Sequence, residues 1–252
     1  MVKIILGGCS GKMGRAVTAS AEENPKTEIV CGVDIFNNGS LTYPVHENFS
    51  QVTEDADVIV DFSNPSLLTD LLTYAKGKSL PCVLCATGYS DEQKAEILEA
   101  SKVIPIFSSG NMSLGINLLI ELAQKAAKVF GSSFDVEIIE KHHNQKIDAP
   151  SGTALMIADG VSKVMEQEPQ YVYDRHSYRR KRSKNEIGIH AVRGGTIVGE
   201  HEIIFAGHDE VLTIKHEAHS KEVFAVGAVN AASFICGKEP GMYDMGDMLA
   251  EE

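Results

Sequence analysis

A glycine-spaced turn near the start of this chain restricts its possible folds more than any other feature. Residues 2–6 are a mostly apolar run, the pattern of a strand buried on both faces of a parallel sheet. They lead straight into Gly7, Gly8, Cys9, Ser10, Gly11, Lys12, Met13 and Gly14, and a helix is expected over residues 15–23. Gly8, Gly11 and Gly14 repeat as G-x-x-G-x-x-G between strand and helix. Glycines so placed permit a tight turn and let the backbone approach a pyrophosphate at the helix N-terminus. A second strand, residues 28–33, ends at Asp34, 20 residues after Gly14, where a carboxylate accepts hydrogen bonds from an adenosine ribose. A carboxylate repels a 2′-phosphate, and Ile35, Phe36, Asn37 and Asn38 bring no cation, so the pattern favours NADH over NADPH. Lys12 is near enough to keep use of both open.

Strand and helix signals then alternate. Residues 37–51 are turn-rich. Residues 57–62 read as a buried strand, and Ser63, Asn64 and Pro65 open a helix that runs to Lys76 and is expected to stop at Gly77. Residues 81–85 form the next strand, 86–88 a turn, 91–101 an amphipathic helix and 103–107 another strand. This rhythm predicts a doubly wound parallel sheet, whose ligands lie at the carboxyl ends of its strands. Cys82 and Cys85 form a C-x-x-C, but residues three apart in a strand face opposite sides, so they read as core and not as a metal or redox pair.

The second half carries the chemistry. Residues 134–139 read as a strand and 153–166 as a helix. Between them stand Glu140, His142, His143, Lys146, Asp148, Pro150, Ser151, Gly152 and Thr153. Ser151 is a good N-cap, and a helix N-terminus offers free backbone N–H groups to an anion. The stretch therefore joins proton-transfer groups (His142, His143, Lys146) to an anion seat (Gly152, Thr153). A long helix, residues 113–130, precedes it. Arg175, His176, Arg179, Arg180, Lys181, Arg182 and Lys184 form a basic run without the alternation of a packed element, which reads as a mobile charged loop. Strands over 187–192, 196–205 and 210–217, joined by turns at 193–195 and 207–209, give an open mixed sheet with helices on one side, which makes self-association expected. His216-x-x-His219 has no third ligand nearby and no metal is expected. Residues 221–236 form a small-residue helix that returns to the first domain, capped by the tail. Residues 1–112 and 221–252 are thus a dinucleotide-binding domain, with 113–220 inserted as a substrate-binding and oligomerisation domain.

Composition excludes several classes. The 252 residues are 43% hydrophobic, enough for a proper core. No apolar run reaches membrane-spanning length. The start is too promptly structured for a signal peptide, and five cysteines argue for a reducing cytoplasm. The net charge of −12 argues against a general nucleic-acid binder, and means that an anionic ligand needs local positive groups.

The run Glu140-x-His142-His143-x-x-Lys146-x-Asp148-Ala149-Pro150-Ser151-Gly152-Thr153-Ala154, with the opening Gly8 to Gly14, resembles the signatures of the dihydrodipicolinate reductase family of bacterial lysine biosynthesis (the diaminopimelate route). The resemblance spans the chain. It implies a cytoplasmic homotetramer with an N-terminal Rossmann domain and a C-terminal α+β domain, and reduction of a cyclic imine dicarboxylate by NADH or NADPH. It implies that His142 is the proton donor/acceptor and Lys146 a proton donor, and that His143, Gly152 and Thr153 hold the substrate. It also implies nicotinamide-cofactor contacts at Gly8, Cys9, Ser10, Gly11, Lys12, Met13, Asp34, Cys85, Ala86, Thr87, Ser109, Gly110, Asn111 and Met112. The family commonly has Gly-Thr-Thr-Gly where this chain has Cys85-Ala86-Thr87-Gly88. Two other readings stand beside it: a different NAD(P)H-dependent reductase of similar architecture, and a non-catalytic NAD(H) sensor, which would not need the His142/Lys146 pair.

Overall fold

The structure is a computed structural model that describes residues 1–251. It forms two compact units, Met1–Ser113 with the segment from Lys221 onward, and Leu114–Ser220. The first unit opens with β1 (Val2–Gly7), α1 (Lys12–Glu23), β2 (Thr27–Val33), β3 (Val45–His46), β4 (Val58–Asp61), α2 (Leu68–Lys78), β5 (Cys82–Leu84), α3 (Asp91–Ala100) and β6 (Pro105–Ser108). The second unit holds α4 (Leu114–Phe130), β7 (Asp135–His142), α5 (Gly152–Ser162), β8 (Gln170–Val172), β9 (Glu186–Arg193), β10 (Gly199–Ala206) and β11 (Val211–Ala218). The chain then returns to the first unit with α6 (Glu222–Ile235), β12 (Gly241–Tyr243) and α7 (Met245–Ala250).

In the first unit seven parallel strands are ordered β12-β6-β5-β4-β1-β2-β3. The strand order reverses between β1 and β4, the crevice where doubly wound sheets hold ligands. β1 and β4 are central because their apolar side chains have cover on both faces: Ile4, Ile5, Leu6, Val58, Ile59 and Val60 are all fully buried. Ile5 and Ile59 pack with Leu68, Leu71 and Leu72 on one face. On α6, a Cβ at Gly227 would lie 1.7 Å from the carbonyl oxygen of Met112, so only glycine allows that close approach.

Two details of this unit differ from the sequence reading. The helix α2 runs through Gly77 and ends at Ser79, which takes the left-handed conformation (φ 55°). Leu80 N–H bonds to Ala75 O at 2.9 Å and Ser79 N–H to Lys76 O at 3.3 Å, a Schellman closure accompanied by packing of Leu80 on the core. The tail does more than cap: Gly241–Tyr243 adds the seventh strand beside β6, and Asp244 then starts α7 with a capping box to Asp247.

The second unit is a mixed five-stranded sheet ordered β11-β10-β7-β9-β8. β7 is central, antiparallel to β10 and parallel to β9. Its side chains alternate, with Val136 and Ile138 packed against α4 and α5 through Leu119, Ala123, Ala154 and Ile157. β9 and β10 are not a hairpin, contrary to the turn expected at 193–195, because β7 lies between them. Gly194 N–H bonds to His142 O and Asn144 N–H to Gly195 O, so that turn is pinned to the end of β7 and not to the next strand. β10 and β11 do form a hairpin.

Residues 175–184 have no regular secondary structure but are not the free charged loop that their composition suggests. Arg175, Arg180 and Arg182 are tied down by Glu137 and Asp135 on β7 and by Glu186 on β9, at 2.5–3.0 Å. Among the described residues no helix is long and apolar enough to cross a membrane.

Candidate active site

The glycine turn leaves β1 at Gly8, whose positive φ (70°) suits glycine and where a Cβ would lie 2.7 Å from Phe62 O. Gly14 is just as constrained, 2.3 Å from Gly8 O, so the turn packs against the first turn of α1. No side chain caps α1 at Gly11, which leaves that helix end open to an anion. Asp34 joins the turn from β2: its two oxygens accept the backbone N–H groups of Ser10 and Phe36, each at 3.0 Å. Lys12 is exposed at the first position of α1, and Met13 is half-buried. Arg15, which sequence reasoning did not single out, donates from Nε to Ser10 O at 3.2 Å. The Cys9 side chain points away into the core under Gly32, so only its backbone is available to a ligand.

The other expected cofactor residues follow the carboxyl ends of β5 and β6. Cys85 N–H bonds to Asp61 O at 2.9 Å, and Ala86 and Thr87 come after it. Ser109 Oγ donates to the Asn111 carbonyl at 3.0 Å, Gly110 is exposed, and Asn111 Oδ1 accepts from Ser113 N–H at 2.8 Å. Met112 is buried. Beside the glycine turn, Ser63 Oγ is buried with no hydrogen-bond partner among the described residues. Together with the uncapped α1 and the Gly8 turn, that atom fits a bound dinucleotide.

In the second unit the strand β7 runs on to His142, three residues beyond the end expected from its apolar pattern. The inward positions there are Glu140 and His142, so hydrophobicity does not reveal them. Glu140 is completely buried. Its Oε2 takes His142 Nδ1 at 2.6 Å and Arg193 Nη1 at 2.7 Å. Its Oε1 takes Arg193 Nη2 at 2.7 Å and the Ser151 N–H at 3.0 Å. Burial alone would raise the Glu140 carboxyl, but hydrogen bonds from Arg193, His142 and Ser151 outweigh it and hold the group below its usual range. Burial pushes His142 below the ordinary histidine value, and Lys146 and Arg193 push the same way. Glu140 opposes them without cancelling them. The resting imidazole is therefore neutral at pH 7, with its Nδ1–H donated to Glu140 and Nε2 unprotonated. A Cβ at Gly199 would stand 3.2 Å from that nitrogen.

Ser151 caps α5, its Oγ accepting Ala154 N–H at 3.1 Å, and the same oxygen lies 3.1 Å from His201 Nε2. Burial brings His201 down to about 4, so it stays neutral. Its ring stands edge-on to His142 with centroids 5.2 Å apart. Gly152 is exposed, with nothing within 4 Å of where a Cβ would be, which leaves room for a ligand at the first turn of α5; Thr153 follows it. Lys146 Nζ pairs with Asp148 Oδ1 at 2.9 Å, and His143 is half-buried beside His142. The structure thus gathers His142, His143, Lys146, Gly152 and Thr153 at the carboxyl end of β7 and the amino end of α5. Sequence reasoning gave no role to Arg193 or His201. Arg193 reads as a turn residue, and its pairing to Glu140 depends on β7 and β9 being neighbours. Elsewhere, Cys31, His46 and Glu54 lie with ligand-type atoms within 4.8 Å of one another. Burial and Glu54 push that thiol up to about 12, and Glu54 already accepts His46 Nε2 at 2.9 Å, so the group is satisfied internally.

Residues 2–112 match the family described as dihydrodipicolinate reductase, N-terminus, and residues 115–249 match its C-terminus counterpart. The chain belongs to the dihydrodipicolinate reductase family. It is 53% identical over 249 residues to the 4-hydroxy-tetrahydrodipicolinate reductase of Caldanaerobacter subterraneus subsp. tengcongensis, covering 99% of this chain and 98% of that one. It is 49% identical to the Clostridium novyi protein of the same name, again over 99% and 98% of the two chains. Among solved structures it is similar to the dipicolinate-bound dihydrodipicolinate reductase from Paenisporosarcina sp. TG-14, with a TM-score of 0.81, 25% identity and 97% of each chain covered. A myo-inositol dehydrogenase from Corynebacterium glutamicum shares the fold at a TM-score of 0.61 and 17% identity, over 96% of this chain and 90% of that one.

Proposed function

We propose that His142 and Lys146 deliver protons while a dicarboxylate is held by Gly152, Thr153 and His143. The reaction is the NAD(P)H-dependent reduction of 4-hydroxy-tetrahydrodipicolinate, a step of lysine biosynthesis. The observation that carries the site assignment is the proximity of a buried, oriented His142 and Lys146 to the open N-terminus of α5. An acidic chain needs such local positive groups to bind a dianion. The helix terminus offers N–H donors to one carboxylate, and His143 and Lys146 offer charge-assisted bonds.

Loss of the 4-hydroxyl as water leaves a conjugated C=C–C=N system. The cofactor, when bound, supplies a hydride to it. Lys146 and His142 then have two tasks: to stabilise the negative charge that develops on the ring and to supply the one proton that balances the hydride. The neutral resting state of His142 suits this, because two bound carboxylates favour its protonation and it recharges as the substrate arrives.

Asp34 supports a preference for NADH, since its carboxylate would face a 2′-phosphate. Lys12 and Arg15 are the cations that would soften the preference. Assembly as a homotetramer through the sheet of the second unit is part of the same reading, supported by exposed Val211 and half-exposed Leu212 on the edge strand β11. One spectrophotometric assay tests the activity and the preference together. The condensation product of pyruvate and aspartate semialdehyde is supplied with NADH or NADPH, and the expected result is turnover with both and a lower KM for NADH. No turnover with either removes the functional reading, and a strong NADPH preference removes the role given to Asp34.

A further inference from the structure

Glu140 is fully buried, and all four hydrogen bonds to its oxygens come from groups of the site: both terminal nitrogens of Arg193, His142 Nδ1 and the Ser151 N–H. A carboxylate has about four acceptor positions, so none is left over. We propose that Glu140 and Arg193 act together as positioning residues, locking His142 in the tautomer that leaves Nε2 free and fixing the α5 anion seat relative to it. This rests on the proton-transfer role given to His142 above.

The four bonds constrain three parts of the site. The bond from His142 places the proton on Nδ1, so Nε2 is the nitrogen that exchanges with a ligand. The bond from Ser151 N–H ties down the N-cap residue of α5, and with it the position of the Gly152 and Thr153 amides. The two bonds from Arg193 supply the counter-charge that keeps Glu140 ionised, and as a planar fork they fix the carboxylate's rotation. Arg193 also donates from Nη2 to the Asp148 carbonyl at 2.7 Å, and Asp148 in turn holds Lys146 Nζ. One ion pair, its carboxylate fully buried, therefore reaches His142, the helix terminus and the lysine loop. Glycine at 199 spares this nitrogen a crowded contact, since a Cβ there would approach Nε2 to 3.2 Å.

An ion pair that served folding alone would affect stability without touching the state of the imidazole. The charged and titratable groups facing His142 are Glu140 from its own strand, Arg193 from β9, His201 from β10 with His216 beyond it on β11, and Lys146 from the loop. Of these only Glu140 favours the imidazolium, so removing its charge moves the His142 titration to lower pH.

The test uses the full-length protein with Glu140→Gln, which keeps shape and loses charge, and Arg193→Lys, which keeps charge and loses the fork. Nitrogen-15 NMR of the histidine rings reads the His142 tautomer and its titration, calorimetry reads binding of dipicolinate, and kinetics give kcat and KM over pH. In the wild type His142 is expected as the Nδ1–H form. In Glu140→Gln that form loses its dominance, the titration shifts down, and kcat falls about tenfold to a hundredfold, while the dipicolinate Kd changes less than kcat. If Glu140→Gln does not fold, Arg193→Lys carries the same test. It is expected to populate the Nε2–H form and lower kcat. A wild-type tautomer and titration in the folded variant overturn the proposal, as does a kcat that changes only in step with melting temperature. The NMR and dipicolinate measurements need no turnover. Failure of the functional reading would show as an inactive wild type, whatever the imidazole does.

Discussion

The two faces of β7 carry the same kind of chemistry put to different uses. On the inner face Glu140 binds an arginine, a histidine and a backbone N–H, and each of these belongs to the candidate site. On the outer face Glu137, three residues earlier, also binds a histidine and arginines: His190 Nε2 at 2.7 Å, Arg175 Nη2 at 2.5 Å and Arg182 Nε at 3.0 Å. There the partners lead away from any reactive group. Arg182 goes on to the carbonyls of Val136, Ser183 and Glu186, and Arg175 and Arg180 to the Glu186 carboxylate. The outer network fastens a segment without regular secondary structure onto the sheet. The inner one orients groups that can exchange protons. A carboxylate–arginine–histidine cluster is therefore not a site by composition alone. Its role follows from what its second ring of partners touches.

The comparison is broken most forcefully through Lys146. Lys146→Ala is expected to lower kcat by about a hundredfold or more, the usual loss when an acid–base group is removed. Melting temperature should change little, because among the described residues the lysine makes one ion pair, to a half-exposed Asp148. Steady-state kinetics beside a thermal melt check both halves, and unchanged turnover would count against its role as proton donor.

The outer face should answer in the opposite way. Gly188 lies opposite Glu137 across the β7–β9 ladder, and a Cβ there would come within 1.8 Å of Glu137 Oε2. A carboxylate tip moves easily when free, but this one is held by three side chains. Gly188→Ala is therefore expected to cost about 1–3 kcal/mol, the range for overpacking, or a few degrees of melting temperature, with kcat unchanged. A large kcat loss in a variant that melts normally would mean that the outer network also serves the chemistry.

The same contrast explains what could be read in the sequence. The glycine turn and Asp34 were legible because their demands are local: a positive φ, a close approach to backbone, and an acid at the end of the next strand. The parallel sheet followed from strand and helix signals that alternate in order. The His142–Thr153 stretch was legible as a unit because its groups lie within twelve residues. What remained hidden depends on pairing. Arg193 reaches Glu140 only because β9 lies beside β7, and neighbours in sequence suggested a β9–β10 hairpin instead. The basic run reads as loose charge until half-buried Glu137 and buried Glu186, set among apolar strand residues, are seen to face it. The last turn of β7 escaped notice because its inward side chains are polar.

The smallest effect separates the faces by pH. Glu186 is buried on the outer side, and although burial alone would raise its carboxyl, bonds from Arg175, the Ser183 N–H and Arg180 bring it down to about 2 from an ordinary 4.5. A carboxyl whose folded value is depressed stabilises the fold above its unfolded value and loses that contribution as pH falls through the folded one. The window here is pH 4.5 down to 2. Glu186→Gln keeps the shape and can still accept the Ser183 N–H, but it leaves the part-exposed Arg175 and Arg180 without their charged partner, so at pH 7 it should cost about 1–2 kcal/mol. The gap between wild-type and variant melting temperatures should then close as the pH is lowered through that window. A gap that stays constant with pH would show that Glu186 contributes by packing and not by charge, and would remove it from the charge network of the outer face.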